Sequence, residues 1–281
     1  MHQRVIAKLD IKGPNLVKGI NLEGLRVLGK PEEFSRDYYE QGIDELIYMD
    51  VVASLYGRNS IHDLISRTAK NIFIPLTVGG GLRSLDDIRE VLRAGADKVS
   101  LNTAAVKAPN FIKEAARYFG SSTIVVTIEA IKQPNGSYEV FVDNGREETG
   151  VEVLSWAKQV AELGAGEIVI MSVDQEGTGA GYDIELTRAV ASLVDIPVIA
   201  AGGAGNSAHV ADVLTDGQAD AAAIASVFHY GHIHKVEDMG LLDQEGNVEF
   251  LKRKRSNGKI EPSSVVELKE HLVERGIHCR I

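Results

Sequence analysis

The sequence predicts an α/β fold, a (β/α)8 TIM barrel made of two similar halves, and three observations predict it. The chain has 281 residues, which suits one barrel domain of about 250 residues. Eight short runs rich in β-branched residues alternate with segments of helical periodicity. Related segments also recur in the same order in the two halves of the chain. We therefore expect one domain over residues 1–281.

The eight apolar runs are expected to be strands because each has the length of a strand and is bounded by turn-forming or charged residues. Strands that are separated by crossover helices must run parallel, and eight such units close into a barrel. The sequence predicts strands at 5–9, 45–49, 75–78, 98–101, 123–128, 167–171, 197–201 and 221–225, and helices at 31–41, 84–94, 108–119, 152–163, 183–194 and 265–275.

The internal repeat divides the chain into two sets of four strand–helix units. The segment IPLTVGGGLRS at 74–84 matches IPVIAAGGAGN at 196–206, and GIDELIYMDVV at 42–52 aligns with GAGEIVIMSVD at 164–174. The run VIAKLD, which ends at Asp10, aligns with the segment that carries Glu129. If the halves pack about a pseudo-twofold axis, a site in one half has a counterpart across the mouth of the barrel.

The segment 231–264 interrupts this alternation between the last predicted strand and the terminal helix. It is polar and rich in turn-forming residues, so we interpret it as an insertion that forms a hairpin or lid over the rim. Its basic run at 252–255 is interpreted as a solvated face rather than a ligand site, because the chain as a whole is acidic.

Composition excludes several classes of function. The formal net charge of -10 disfavours nucleic acid and anionic membranes as partners. The N-terminus lacks an apolar run long enough for a signal peptide or a membrane span, so we expect a cytoplasmic protein. Cys279 is the one cysteine, which excludes an intrachain disulfide. The nearby His229, His232 and His234 lack a convincing carboxylate partner, so the sequence predicts no metal site and no cofactor.

Two glycine-rich turns predict binding sites for phosphate groups. Glycine lets backbone N–H groups approach an anion closely, and the N-terminus of a following helix adds partial positive charge. The first turn contains Gly80 and Gly81 and is expected to face Ser100, Asn102 and Thr103, whereas the second contains Gly202 and Gly203 and is expected to face Ala225 and Ser226. Two such cradles at repeat-related positions predict an elongated ligand with two phosphate groups.

Two carboxylates lie between the predicted cradles. Asp10 ends the first strand, and Glu129 ends the repeat-related fifth strand. A carboxylate at the end of each of two facing strands is the arrangement expected of a general acid and a general base. Further candidates for substrate binding lie in rim loops, where Lys18 is placed to bind a phosphate or to fold over the substrate: Lys18, Asp174, Glu176 and Gly177.

Charged residues also begin four strands at the opposite end of the barrel, where core positions are usually apolar. These residues are Arg4, Glu45, Lys98 and Glu167. If they point inward, two cations and two anions form a neutral ring, because buried charges need pairing. Such a ring is interpreted either as a structural plug or as a gated passage through the barrel.

Together these residues resemble the HisF family, the cyclase subunits of imidazole glycerol phosphate synthase, over nearly the whole chain except the insertion. The matching motifs are AKLDIKGPNLVKG at 7–19, GIDEL at 42–46, TVGGG at 77–81, GADKVSLNTAAV at 95–106, GYD at 181–183, AAGGAG at 200–205 and ASVFH at 225–229. The resemblance implies a HisH-like glutaminase partner at the N-terminal face and the charged ring as an ammonia gate. It also implies a bis-phosphorylated formimino ribonucleotide as the acceptor of ammonia, with Asp10 in the position of a catalytic aspartate.

The chain departs from the family pattern mainly at the rim. Glu129 and Glu176 stand where the family has aspartate, Met171 stands where a small hydroxyl residue is common, and 54–59 and 231–264 look unlike the usual loops. This pattern also resembles HisF-like paralogues that supply ammonia, together with a HisH-like glutaminase and a separate amidotransferase, for amidation of surface-polysaccharide sugars. A third interpretation is a phosphoribosyl isomerase, although an isomerase has no use for an ammonia entrance.

Overall fold

Eight parallel strands, two antiparallel hairpins and surrounding helices make up the described part of the chain, residues 2–53, 61–235 and 259–281 of a computed structural model. The strands are β1 Arg4–Lys12, β2 Asn15–Ile20, β3 Glu23–Gly29, β4 Glu45–Asp50, β5 Leu76–Gly79, β6 Lys98–Leu101, β7 Ile124–Lys132, β8 Tyr138–Val142, β9 Glu147–Glu152, β10 Glu167–Ser172, β11 Val198–Ala201 and β12 Ala221–Ile224. The helices are α1 Pro31–Glu40, α2 His62–Ala69, α3 Leu85–Ala94, α4 Thr103–Lys107, α5 Asn110–Phe119, α6 Val153–Glu162, α7 Ile184–Ala191, α8 Ser207–Thr215, α9 Ser226–Lys235 and α10 Val265–Glu274.

The barrel strands follow one another around a closed sheet. Their order is β1, β4, β5, β6, β7, β10, β11 and β12, and every neighbouring pair is parallel. Parallel pairing of β12 with β1, with Arg4 opposite Ala221, closes the ring. The predicted (β/α)8 barrel is therefore confirmed, and each predicted strand overlaps one strand of the barrel.

Two hairpins extend the barrel at repeat-related places, and the sequence analysis did not predict them. The chain continues from β1 into the antiparallel pair β2–β3, and from β7 into the pair β8–β9. The turn of each hairpin contains two successive non-glycine residues with positive φ, Asn21 and Leu22 in one and Asp143 and Asn144 in the other. Asn-Gly at 144–145 is a strong hairpin signal that sequence analysis could have used.

The six predicted helices are confirmed, and the described residues contain four further α-helices that were not predicted: α2, α4, α8 and α9. The segment predicted as a helix at 108–119 corresponds to α5, which begins two residues later, at Asn110, and the short helix α4 ends just before it, at Lys107. Pro109 lacks a backbone N–H and disfavours helical backbone in the residue before it, and Ala108 accordingly has φ −142° and ψ 81°. No helix of the described residues is long and apolar enough to cross a membrane.

The segment predicted as an insertion begins inside a helix. Helix α9 continues to Lys235, and helix α10 begins at Val265, where the N-cap residue Ser264 forms a capping box with Glu267. Residues 236–258, which include the basic run at 252–255, lie outside the described residues. The predicted hairpin or lid over the rim therefore stays a prediction.

Apolar side chains form two layers around the barrel wall. The outer layer packs the strands against the helices and includes Leu9, Tyr48, Ile168 and Phe228. The inner layer fills the barrel with side chains from alternate strand positions: Ile6, Ile47, Val125, Val169, Met171, Ile199, Ala201, Ala221 and Ala223. Leu22, from the turn of the first hairpin, packs on top of this inner layer.

Candidate active site

A cavity of about 200 Å³ lies at the carboxyl ends of the barrel strands, and both predicted acids line it. Asp10 is 2% exposed near the end of β1, and Glu129 is 4% exposed in β7. Because β1 and β7 are the first and fifth of eight barrel strands, they lie on opposite sides of the barrel. The two carboxyl groups consequently border the same space from opposite walls.

Glu129 has an unusual affinity for its proton. Burial raises the pKa of the Glu129 carboxyl to about 7. The backbone N–H of Gly145, which donates to Oε2 of Glu129 at 2.7 Å, and the positive charge of Lys8 act in the opposite direction. A carboxyl group with this pKa gives and takes protons readily near neutral pH.

Lys8 is a buried cation in this site that the sequence analysis did not single out. Its Nζ donates to Oδ1 of Asp10, and the residue is 5% exposed. Burial opposes the charge of Lys8, but Asp10 and Glu176 outweigh that effect, so the pKa of Lys8 is raised. Alternation along β1 provided a signal, because positions 4, 6, 8 and 10 must share the inner face of a strand.

The first predicted cradle lies beside the acids. Gly80 has φ 104°, and a Cβ atom there would lie 2.3 Å from the carbonyl oxygen of Asp50. Only glycine fits this close approach without moving the backbone. The other predicted residues of this cradle line the same cavity as Asp10 and Glu129: Gly81, Ser100, Asn102 and Thr103.

Asn102 lies between the first cradle and Glu129. Its side chain hydrogen-bonds to Glu129, which favours the ionised form of that carboxyl group. Its Oδ1 atom is buried and has no hydrogen-bond partner among the described residues. Thr103 is held by the second hairpin, since its hydroxyl donates to Oδ1 of Asp143 at 3.3 Å.

The second predicted cradle forms a smaller recess across the barrel. It is lined by Lys8, Glu176, Gly177, Gly202, Gly203, Ala204, Ala223, Ala225 and Ser226. Gly203 has φ 112°, and a Cβ atom there would lie 2.0 Å from the carbonyl oxygen of Gly181. Helix α9 begins at Ser226, so the start of a ten-residue helix borders this recess.

Lys18 and Glu176 form a buried ion pair beside the second recess. Nζ of Lys18 donates to Oε1 of Glu176 at 2.5 Å and to the carbonyl oxygen of Gly19 at 3.0 Å. Burial disfavours the ionised form of Glu176, but the nearby Lys18 and Lys8 outweigh it and lower the pKa of Glu176 well below its usual range. The pair fixes the first hairpin, which carries Lys18, to the loop that follows β10.

At the opposite end of the barrel, the four predicted ring residues contact one another; we call them the floor ring. Arg4 donates to Glu45 at 2.7 Å and to Glu167 at 3.0 Å. Lys98 donates to Glu45 at 3.2 Å and to Glu167 at 3.0 Å. Each carboxylate thus binds both cations, which closes a neutral ring. The apolar inner layer separates the floor ring from Asp10 and Glu129.

Comparisons with known proteins agree with this arrangement. The profile of the family described as "Histidine biosynthesis protein" matches residues 4–234. The imidazole glycerol phosphate synthase subunit HisF of Legionella pneumophila is 59% identical over 202 residues, which are 72% of this chain and 95% of that protein. The chain belongs to the HisF family.

Two further HisF proteins cover more of the chain. The subunit from Nostoc sp. is 48% identical over 240 residues, which are 84% of this chain and 93% of that protein. The subunit from Alkaliphilus metalliredigens is 46% identical over 231 residues, which are 82% of this chain and 92% of that protein. These relatives carry the name of the synthase subunit, which favours the cyclase interpretation over the sugar-amidation and isomerase alternatives.

Two residues singled out in the sequence, Asp174 and His229, do not line either cavity of this HisF-type site. Asp174 is exposed, and its carboxylate accepts a hydrogen bond from the backbone N–H of Lys132 at 2.8 Å. His229 is buried, and its Nδ1 lies 2.7 Å from the hydroxyl oxygen of Tyr38. Burial, aided by Lys18 and Lys8, lowers the pKa of His229 to about 3, so this histidine is neutral. The described residues contain no group of three or more side chains arranged to hold a metal ion.

Proposed function

We propose that this chain is the cyclase subunit of an imidazole glycerol phosphate synthase. In this reaction ammonia and a bis-phosphorylated formimino ribonucleotide yield imidazole glycerol phosphate and aminoimidazole carboxamide ribonucleotide. The observation that carries the proposal is the pair of buried carboxyl groups, Asp10 and Glu129, which face one cavity at the carboxyl ends of the strands. The family membership of the chain supplies the choice of reaction.

The two glycine cradles would hold the two phosphate groups of the substrate. Gly80 and Gly81 lie beside the acids, whereas Gly202 and Gly203 line the recess across the barrel. Backbone N–H groups at these turns provide donors without the mobility of long side chains. A substrate anchored at both ends would lie across the mouth, with its central section over Asp10 and Glu129.

The two acids would divide the proton transfers between them. Asp10 accepts a hydrogen bond from the Lys8 ammonium and would act as the general base toward the attacking nitrogen. Glu129, with a pKa of about 7, carries a proton in a large fraction of molecules at neutral pH. It would donate that proton to the nitrogen that leaves with the aminoimidazole carboxamide ribonucleotide. One proton is accepted and one is donated, so the step leaves no net charge in the cavity.

Ammonia would enter from a HisH-like glutaminase at the N-terminal face of the barrel. Three large apolar side chains precede strands at that face and are exposed: Phe73 at 77%, Tyr118 at 59% and Leu193 at 42%. Exposed apolar side chains of this size are suited to the core of a protein interface. The floor ring and the apolar inner layer lie between this face and the acids, and neutral ammonia would lose far less hydration energy there than an ammonium ion would.

Turnover of the formimino ribonucleotide with an ammonium salt as the nitrogen source tests this function directly. We expect the purified chain to consume the substrate and release both products, and we expect Asp10→Asn to reduce the rate by at least about 100-fold. The variant Lys12→Met, which changes an exposed residue of the same strand, serves as the control. Absence of turnover by the wild-type chain at millimolar ammonia, or full activity of Asp10→Asn, would overturn the proposal.

A further inference from the structure

Lys8 lies where the two cavities of the site meet. It lines the larger cavity together with Asp10 and Glu129, and it also lines the recess of the second cradle. A ligand that spans both cradles must therefore pass over the Lys8 ammonium. The residue is buried, so water screens its charge weakly.

The charges around Lys8 come from several elements. Asp10 lies on the same strand, Glu129 comes from β7, Glu176 from the loop after β10, and Lys18 from the first hairpin. Lys18 is committed to Glu176 by the 2.5 Å ion pair. Lys8 is consequently the cation that acts on the two acids facing the larger cavity, by a direct hydrogen bond to Asp10 and through space to Glu129.

More distant charges complete these surroundings and also act on the acids. Asp143, in the turn of the second hairpin, opposes ionisation of Glu129. His229 from α9 is neutral and adds no charge. Asp50, at the end of β4, lines the far wall of the larger cavity and accepts a hydrogen bond from the backbone N–H of Val52 at 3.1 Å. Two exposed cations also line this cavity: Lys107, which lies 3.6 Å from Asp143, and Arg83, which donates to the carbonyl oxygen of Ala53 at 3.1 Å. The buried Lys8 thus faces both Asp10 and Glu129 and cannot neutralise both, which favours a proton on Glu129.

The cation is present in only one half of the repeat. Asp10 aligns with Glu129, so Lys8, two residues before Asp10, aligns with Thr127, two residues before Glu129. Thr127 is neutral, and its hydroxyl oxygen lies 2.7 Å from the hydroxyl oxygen of Ser100. The two acids occupy equivalent places in the fold, yet only one of them has an ammonium group beside it.

We propose that Lys8 is a positioning residue that breaks the twofold symmetry of the site, pairing with Asp10 as the general base and leaving Glu129 to carry the proton as the general acid. The inference rests on the proposed function for these two roles. In this role Lys8 does not react with the substrate; it affects catalysis through its interactions with Asp10 and Glu129. The same backbone with two equal carboxyl groups would not distinguish the proton acceptor from the proton donor.

The protonation of Glu129 can be measured without substrate. We would follow the side-chain carboxyl carbon of Glu129 by NMR in protein labelled with carbon-13 glutamate, and identify its signal by its loss in Glu129→Gln. The wild-type midpoint is expected near the pKa of about 7. Lys8→Met removes the positive charge and should raise the midpoint by about one pH unit or more. Lys8→Arg should restore the wild-type midpoint of Glu129, and Lys12→Met, at an exposed position, should leave the midpoint unchanged.

Turnover provides the second readout. The pH dependence of the rate is measured at a constant concentration of free ammonia. In Lys8→Met the fall in rate on the alkaline side should occur at higher pH than in the wild type, and the maximal rate should be lower. In Lys8→Arg this fall should return toward the wild-type pH. Lys8→Thr copies Thr127 and serves as a second neutral variant if Lys8→Met does not fold. An unchanged Glu129 midpoint in a folded neutral variant would overturn the role of Lys8. Absence of wild-type turnover would overturn the proposed function instead, and the titration separates the two failures.

Discussion

At the scale of a single residue, the pKa that suits Glu129 to proton transfer also lowers the folding stability of the chain at neutral and alkaline pH. Its carboxyl group is enclosed by the barrel, and burial raises its pKa to about 7 from an ordinary value of 4.5. Between these two pH values the folded chain binds more protons at Glu129 than the unfolded chain does. The contribution of Glu129 to folding stability therefore falls as the pH rises through this range and reaches its lowest value above pH 7.

Replacing Glu129 by glutamine should remove the decrease in folding stability that Glu129 causes at higher pH. The shift from 4.5 to about 7 corresponds to about 3 kcal/mol, so Glu129→Gln should be more stable than the wild type by up to that amount at pH 8.5 and by little at pH 5. Glutamine retains an oxygen that can accept from the Gly145 N–H. Urea unfolding at the two pH values measures the difference. An equal stability difference at both pH values would show that the Glu129 carboxyl is not perturbed as described.

At the scale of elements, the two hairpins meet above the barrel and complete the cavity. Nδ2 of Asn144 in the second hairpin donates to the carbonyl oxygen of Leu22 in the first at 3.2 Å. Nδ2 of Asn21 donates to the carbonyl oxygens of Val173 and Asp174 at 2.9 and 2.8 Å. The hairpin turns thus hold each other and the loop after β10. The same contacts place the Gly145 N–H against Glu129.

Gly145 is the glycine of this assembly whose N–H contacts Glu129, and it tolerates an added side chain poorly. It has φ 74°, and a Cβ atom there would lie 3.2 Å from Cγ1 of Val173 and 3.3 Å from Cδ1 of Leu22. Gly145→Ala should therefore displace the N–H from Glu129 and lower turnover on the order of 10-fold.

Gly136→Ala is the matched control, because Gly136 has φ 87° in the β7–β8 turn and a Cβ atom there would meet nothing within 4 Å. We expect the control to lose about 1 kcal/mol of stability and to keep its turnover. Steady-state kinetics and thermal unfolding of both variants separate the two effects. Equal turnover in the two variants would contradict the role assigned to the Gly145 N–H.

At the scale of the whole molecule, Lys269 connects the end of the chain to the first strands of the barrel. Its Nζ donates to the carbonyl oxygens of Gly42 and Arg280 and to Oδ1 of Asp44, each at 2.7 Å. The other carboxylate oxygen of Asp44 accepts from the backbone N–H of Val5 at 2.7 Å. This buried charge pair links α10, the C-terminal tail, β4 and β1.

Loss of the Lys269 charge should destabilise the entire fold. Lys269→Met would leave the Asp44 carboxylate with Arg280 as its cation, at 3.7 Å, in place of the closer ammonium group, at a cost of up to about 3–5 kcal/mol. Urea unfolding monitored by circular dichroism measures the change. The exposed Lys158→Met on α6 is the control, with an expected change within about 0.5 kcal/mol. A destabilisation of Lys269→Met below about 1 kcal/mol would contradict this role.

The floor ring acts at the same scale because it joins strands from both halves of the barrel. Lys98→Ala leaves Glu45 and Glu167 with Arg4 alone, so the ring opens. We expect turnover with glutamine and a HisH-like glutaminase to change on the order of 10-fold relative to turnover with ammonium salt. Lys98→Arg keeps the charge and is the control. An unchanged ratio between the two nitrogen sources would favour the floor ring as a structural plug.

Much of the fold and the site could be predicted from local patterns. The strand and helix periods, the glycine turns and the carboxylates that end β1 and β7 are all properties of short segments, and parallel strands bring such ends to one face. The hairpins were not predicted, because the continuation of β1 and β7 beyond the barrel does not alter the apolar pattern of their buried parts. The start of α5 at Asn110 rather than at Ala108 depends on one residue, Pro109, rather than on the periodicity around it.

The sequence by itself determined the barrel, its twofold repeat and the candidates for phosphate binding and acid–base chemistry, since each depends on residues close together in the chain. Only the tertiary structure decided how these groups are paired. Lys8 contacts Asp10, Lys18 contacts Glu176, and the Gly145 N–H contacts Glu129. The last two contacts join different elements of the barrel. Burial raises the pKa of Glu129, whereas at Glu176 the nearby Lys18 and Lys8 outweigh burial and lower the pKa. Distances across the barrel and exclusion of water arise only when the sheet has closed, and they control protonation.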